Sequence, residues 1–102
     1  MAGAVFFNIW QTKSKEKRQA LLAAMRQEAP DLQAKPGFLS LTVWAGEGDD
    51  LRVIVRGEWA SQAAFEAAVS KDPHALASRE KLAALGTPTP GSFTETFRFQ
   101  NS

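Results

Sequence analysis

The chain has 102 residues, 44% of them hydrophobic and 23% charged, the size and composition of one compact domain rather than of a disordered or fibrous chain. Twelve Lys and Arg against eleven Asp and Glu leave a formal charge of +1, too weak a field for a nucleic-acid surface. Cysteine is absent, which removes disulfides, thiolate metal sites and cysteine nucleophiles, and the short apolar stretch between Met1 and Lys13 predicts neither a signal peptide nor a membrane span, so a cytoplasmic location is expected.

Val5 to Trp10 is a β-branched and aromatic run that predicts a strand, and Leu21, Leu22, Met25 and Ala29 mark one side of the helix that follows. The basic run Lys13 to Arg18 opens that helix and reads as a solvated face. Pro30 is expected to end the helix near Glu28, because the residue before a proline is pushed out of the α region. Pro36-Gly37 turns the chain into Phe38 to Ala45, and the polar connection Gly46 to Asp50 joins that strand to an antiparallel partner, Leu51 to Trp59.

Ser61 is a suitable N-cap for a helix through Val69, and Asp72-Pro73 places a cap and a first-position proline before a helix reaching about Leu85. Gly86 to Gly91, with its two prolines, is expected to be an extended loop, followed by a last strand marked by Phe93, Phe97 and Phe99. The order βαββααβ predicts an α+β fold: a ferredoxin-like, four-stranded antiparallel sheet with helices on one face, formed by residues 1–102 as a single domain.

Such a sheet keeps a polar outer face when monomeric. Here the first strand carries Val5, Phe7 and Ile9 on one side and Phe6, Asn8 and Trp10 on the other, and the second sets Leu39, Leu41 and Val43 opposite Phe38 and Trp44. Leaving such side chains wet forgoes about 1.5 to 3 kcal/mol each, so a homodimer joined sheet to sheet is expected. Arg52, Arg56 and Glu58, on the outer side of the third strand, would then lie at the rim or pair across the interface.

Among residues suited to chemistry, His74 is the only histidine, and a helical wheel puts it with Ser78 and Lys81, away from the apolar arc of Leu76, Ala83, Ala75 and Leu82. It is expected at the surface. Arg79 falls inside the apolar arc, where its guanidinium either snorkels out at the helix flank, pairs with a carboxylate such as Glu95, or faces a pocket for a ligand. Trp59 ends the third strand on the face of Val53, Val55 and Gly57; Gly57 leaves space beside it, and Phe65 on the next helix can line the same volume. Asn8 is the polar interruption of an aromatic face and needs hydrogen bonds there. The acidic turn Glu47, Asp49, Asp50 reads as a solvated hairpin, and no metal-ligand set is expected.

The segments PGFLSLTVW, VIVRGEWASQAAFEAAV and DPHALASREKLAALG together resemble the antibiotic biosynthesis monooxygenase family over nearly the whole chain. The most specific part is Trp59, Ser61 and Phe65 followed by Asp72-Pro73 and Arg79. The resemblance implies a dimeric α+β barrel with a pocket between sheet and helices, and oxidation of a small hydroxylated aromatic, quinol or polyketide-like substrate, with O₂ as co-substrate and no cofactor or metal. It makes Trp59 and Arg79 the catalytic candidates and Asn8, Phe65, Val55 and Gly57 the substrate-binding ones.

Two polar residues of similar polyketide-oxidising members do not carry over: Phe65 stands where they have Tyr, and Val55 where they have Asn. The alternatives to an oxygenase are a non-catalytic ligand-binding member and an isomerase of a small hydroxy-carbonyl compound. A related haem-degrading group uses an Asn that Asn8 could match, but Ala68 and Ser78 replace its Trp and His.

Overall fold

The computed structural model describes residues 3–101. The order is β1 (Ala4–Thr12), α1 (Lys15–Gln33), β2 (Phe38–Ala45), β3 (Arg52–Trp59), α2 (Gln62–Phe65, extended by a π-helical turn over Glu66–Ser70), α3 (Pro73–Leu82) and β4 (Gly86–Phe93). The strands form one sheet in the order β2-β3-β1-β4, every neighbouring pair antiparallel. This is the ferredoxin-like arrangement that the element order predicts.

The helix starts follow local capping chemistry. The Ser14, Ser61 and Asp72 side chains accept from the amides of Lys17, Ala64 and Ala75, satisfying donors that a first helical turn leaves without partners. Gly37, at a φ of 84°, makes the turn into β2 in a backbone region that side chains other than glycine rarely adopt. Its carbonyl accepts from Ala60 at 2.7 Å, tying the entry of β2 to the exit of β3.

Helix α1 does not stop near Glu28; it runs through Pro30 to Gln33. The proline removes one backbone bond, but the extra turn delivers Leu32 to the apolar cluster around Trp59, Phe65 and Ala68, and that burial overrides the local break. Arg18 is also not part of a solvated face. It is 8% exposed, and its Nη1 donates to the carbonyls of Gly48 at 3.0 Å and Asp50 at 2.6 Å, pinning α1 to the β2–β3 hairpin.

The last strand lies earlier than expected. Gly86–Phe93, prolines included, pairs with β1 from Thr12↔Gly86 to Val5↔Phe93, while Phe97 and Phe99 lie beyond it, 75% and 90% exposed. β4 is a sheet edge. Prolines two residues apart turn their missing donors to the same side, so Pro88 and Pro90 cost the ladder nothing if that side is the outer one.

The helix-facing side of the sheet holds two apolar clusters, one on Trp10, Leu21 and Val53, the other on Trp59, Phe65 and Ala68. The opposite side is mixed. Ile9, Trp44 and Phe93 are 42%, 48% and 57% exposed, and Phe7 meets Phe93 edge-on at 5.4 Å. A register shift between Phe38 and Ser40 turns Leu39 out to 59% exposure, against the expectation that it shares a side with Leu41. The outer charges of β3 find partners within the chain: Glu58 accepts from Arg56 at 2.8 Å and from Ser40 at 3.0 Å.

Candidate active site

Between the two clusters lies a cavity of about 160 Å³, bounded by the sheet and by α1, α2 and α3. An apolar cavity of about 150 Å³ is enough to take a benzene ring. Asn8, Val55, Gly57 and Trp59 come to it from the sheet, and Phe65 and Arg79 from the helices. The residues singled out in the sequence therefore share one volume. Trp59 is held there by Phe38, edge-on at 5.3 Å, and by Phe65 at 6.3 Å. A Cβ on Gly57 would sit 3.4 Å from Trp59 Nε1, so the missing side chain opens the space directly beside the indole.

Asn8 is 6% exposed and sits between Val55 and Pro90 in the sheet register, neither of which offers a side-chain donor. Its Oδ1 is buried without a hydrogen-bond partner. Arg79 is not paired with Glu95, which instead accepts from Arg98 at 2.7 Å. Arg79 Nη2 donates to the Val69 carbonyl at 3.2 Å, while its Nε is buried and lacks a partner. Buried polar atoms are nearly always satisfied, so an orphan that borders a cleft is open to a water or to a group of a ligand. One orphan accepts and the other donates.

Charged groups surround the mouth. Lys35 Nζ bridges to Asp72 Oδ1 at 3.1 Å. The Ala75 amide, and after it Lys35, hold the Asp72 carboxyl below the usual range. His74 is exposed as expected, yet it does not stand alone: its Nε2 lies 3.2 Å from Glu28 Oε2 and 3.7 Å from Asp31 Oδ2. These acids escaped the sequence reading because a helix ending near Glu28 would not have carried Asp31 onto the same face. The spacing of three residues was the available signal, legible only once α1 continues past Pro30.

The arrangement is a largely apolar slot bordered by the buried atoms Asn8 Oδ1 and Arg79 Nε and by the buried indole of Trp59. It suits a flat, largely apolar molecule carrying oxygen atoms, with the aromatic walls supplying area and the two polar groups setting orientation.

No curated protein matches this sequence. Among solved structures, the chain is similar to a monooxygenase from the gene ActVA-Orf6 of Streptomyces coelicolor in complex with nanaomycin D, with a TM-score of 0.83 and 24% identity over 99% of this chain and 94% of that one. It is likewise similar to SnoaB, a cofactor-independent oxygenase from Streptomyces nogalater, with a TM-score of 0.79 and 22% identity over 99% and 100% of the two chains. A putative antibiotic biosynthesis monooxygenase from Nitrosomonas europaea follows, with a TM-score of 0.75 and 13% identity over 95% and 94%. At these identities the likeness establishes the fold. The model of the family described as antibiotic biosynthesis monooxygenase matches residues 9–80, and the chain belongs to that family.

Proposed function

We propose that this protein is a cofactor-independent monooxygenase that oxidises a small hydroxylated aromatic or quinol with O₂. The observation that carries the reading is the pair of orphaned polar atoms, Asn8 Oδ1 and Arg79 Nε, in a largely apolar cavity with a charged mouth. The fold it shares with a cofactor-independent oxygenase and with a monooxygenase that binds nanaomycin D supports the same reading.

In this mechanism the substrate is itself the reductant. Arg79 favours loss of a proton from a phenol or an acidic C–H: a cation about 4 Å from the anion, at an effective dielectric near 20, is worth about 4 kcal/mol, roughly three pKa units before desolvation. The anion passes one electron to O₂, giving a substrate radical and superoxide. Their recombination forms a C–O bond, and with a proton this is a substrate hydroperoxide. Loss of water then leaves a carbonyl: one oxygen atom ends in product and the other in water. Asn8 and Trp59 orient the ring, while Phe65, Val55 and Gly57 shape the slot.

The same reading makes the protein a homodimer of 1–102 domains, with the partner covering Ile9, Phe7 and Phe93 on the outer sheet face and leaving the helix side to the ligand. A second reading, a non-catalytic binding module, draws on the apolar Phe65 and Val55, which offer no hydrogen bonds to substrate oxygens. Oxygen uptake by the purified protein, with chelator present, across hydroquinones, anthrones and naphthols separates the two. Uptake above the rate of autoxidation is expected; thermal stabilisation by the same compounds without uptake would support the binding module instead.

A further inference from the structure

The mouth of the cavity joins side chains that the oxygenase reading does not use. Glu28 and Asp31 are three residues apart on α1 and so share a face, while His74 follows the first-position proline of α3, whose start is held by the Asp72 cap and the Lys35–Asp72 bridge. Each of the three offers one ligand atom, and these atoms all lie within 4.8 Å of one another. A tetrahedral cation with bonds of about 2.1 Å has ligand atoms about 3.4 Å apart. The Nε2–Oε2 and Nε2–Oδ2 separations of 3.2 and 3.7 Å lie either side of that value.

All three residues border the same cavity as Asn8 and Arg79. That cavity also holds the Asn8 side chain, 6% exposed, whose Oδ1 accepts from no group among the described residues and is free to take a donor such as a water or a ligand hydroxyl. The geometry points to a divalent transition-metal site, zinc in class, at the cavity mouth, held by Glu28, Asp31 and His74. One imidazole and two carboxylates suit Zn²⁺ better than Mg²⁺ or Ca²⁺, which prefer oxygen ligands throughout. Three protein ligands leave a fourth position for water or for an oxygen of a cavity ligand. The ion replaces a salt bridge between α1 and α3 with coordination bonds and so ties the two helices together across the entrance.

This site is independent of turnover, and its test reads metal rather than activity. Chelator-treated protein is titrated with Zn²⁺ by calorimetry, and its thermal unfolding is followed with and without the ion. One Zn²⁺ per chain, a raised Tm, and an affinity at least about tenfold lower in His74→Ala and in Glu28→Gln are expected. Asn8→Leu, deep in the cavity, should bind Zn²⁺ as the parent does. Absence of saturable binding overturns the proposal, as does unchanged affinity in a correctly folded His74→Ala. Equal affinity for Mg²⁺ overturns it too, because that would make the cluster an acidic patch only.

Discussion

Arg79 Nη2 donates to the carbonyl of Val69 at 3.2 Å, and in a continuous helix that carbonyl would accept from residue 73, which is a proline without an N–H. The break between the π-helical turn and α3 thus leaves an acceptor that anchors one end of the guanidinium. The buried Nε has no partner among the described residues.

Arg79→Met keeps most of the apolar stem and removes the charge. We expect kcat/KM for oxygen uptake to fall by about 10² or more, the scale of losing one donor to a developing anion. Arg79→Lys should recover only part of it, since an ammonium lacks the planar fork that serves Val69 and the ligand together. Turnover unchanged in Arg79→Met would remove Arg79 from the mechanism.

Asn8→Leu trades function for stability. A buried acceptor without a partner costs about 1 to 3 kcal/mol, so the ligand-free variant should unfold several degrees higher than the parent while binding hydroquinones more weakly. A lower Tm, measured by calorimetry, would mean that Asn8 supports the sheet rather than a ligand.

Gly57→Ala tests the space beside Trp59. The new Cβ would be in ordinary contact with the indole at 3.4 Å, so the fold should persist with a Tm within a few degrees of the parent. KM should rise, and more for two-ring than for one-ring substrates. Equal changes across ring sizes would place the ligand elsewhere in the cavity.

The outer sheet face predicts assembly. Light scattering should give twice the chain mass of 11.1 kDa, and Ile9→Lys, at a residue 42% exposed in the single chain, should shift the equilibrium to monomer. A monomeric parent at micromolar concentration would contradict the sheet-to-sheet dimer.

Stability should decline below about pH 4. The Arg52 side chain holds Asp50 at about 2, against an ordinary 3.8. The Ala75 amide and Lys35 lower Asp72, and the Ser40 hydroxyl followed by Arg56 lowers Glu58. Groups depressed in the folded state contribute fully above their unfolded pKa and lose that contribution as pH falls through the folded value. Asp72→Asn keeps the cap without the titration, so its urea midpoint should vary less between pH 5 and 2 than that of the parent; an identical slope would assign the acid limb to other carboxylates.

The legible parts of this protein were those governed by local rules. Alternation placed Trp10, Val53 and Trp59 on the inward side, capping chemistry placed two helix starts at Ser61 and Asp72, and the family match over residues 9–80 agrees with the resemblance of the strand-to-helix segment around Trp59. Two residues that line the candidate cavity were legible for a related reason: Asn8 and Arg79 are polar residues in apolar stripes, a conflict visible in one dimension.

The sequence alone determined which residues of a regular strand share a face, because side-chain period follows directly from backbone geometry; Leu39, beside the register shift in β2, is the exception. Tertiary structure decided what local signals misread. Pro30 stays helical because Leu32 gains burial in the Trp59 cluster, β4 accepts Pro88 and Pro90 because it is an edge, and Arg18 is buried because the hairpin supplies two carbonyls. The meeting of Glu28 and Asp31 with His74 belongs to the same class. Those contacts join positions far apart in the chain, and their free energy exists only once the sheet and helices have packed.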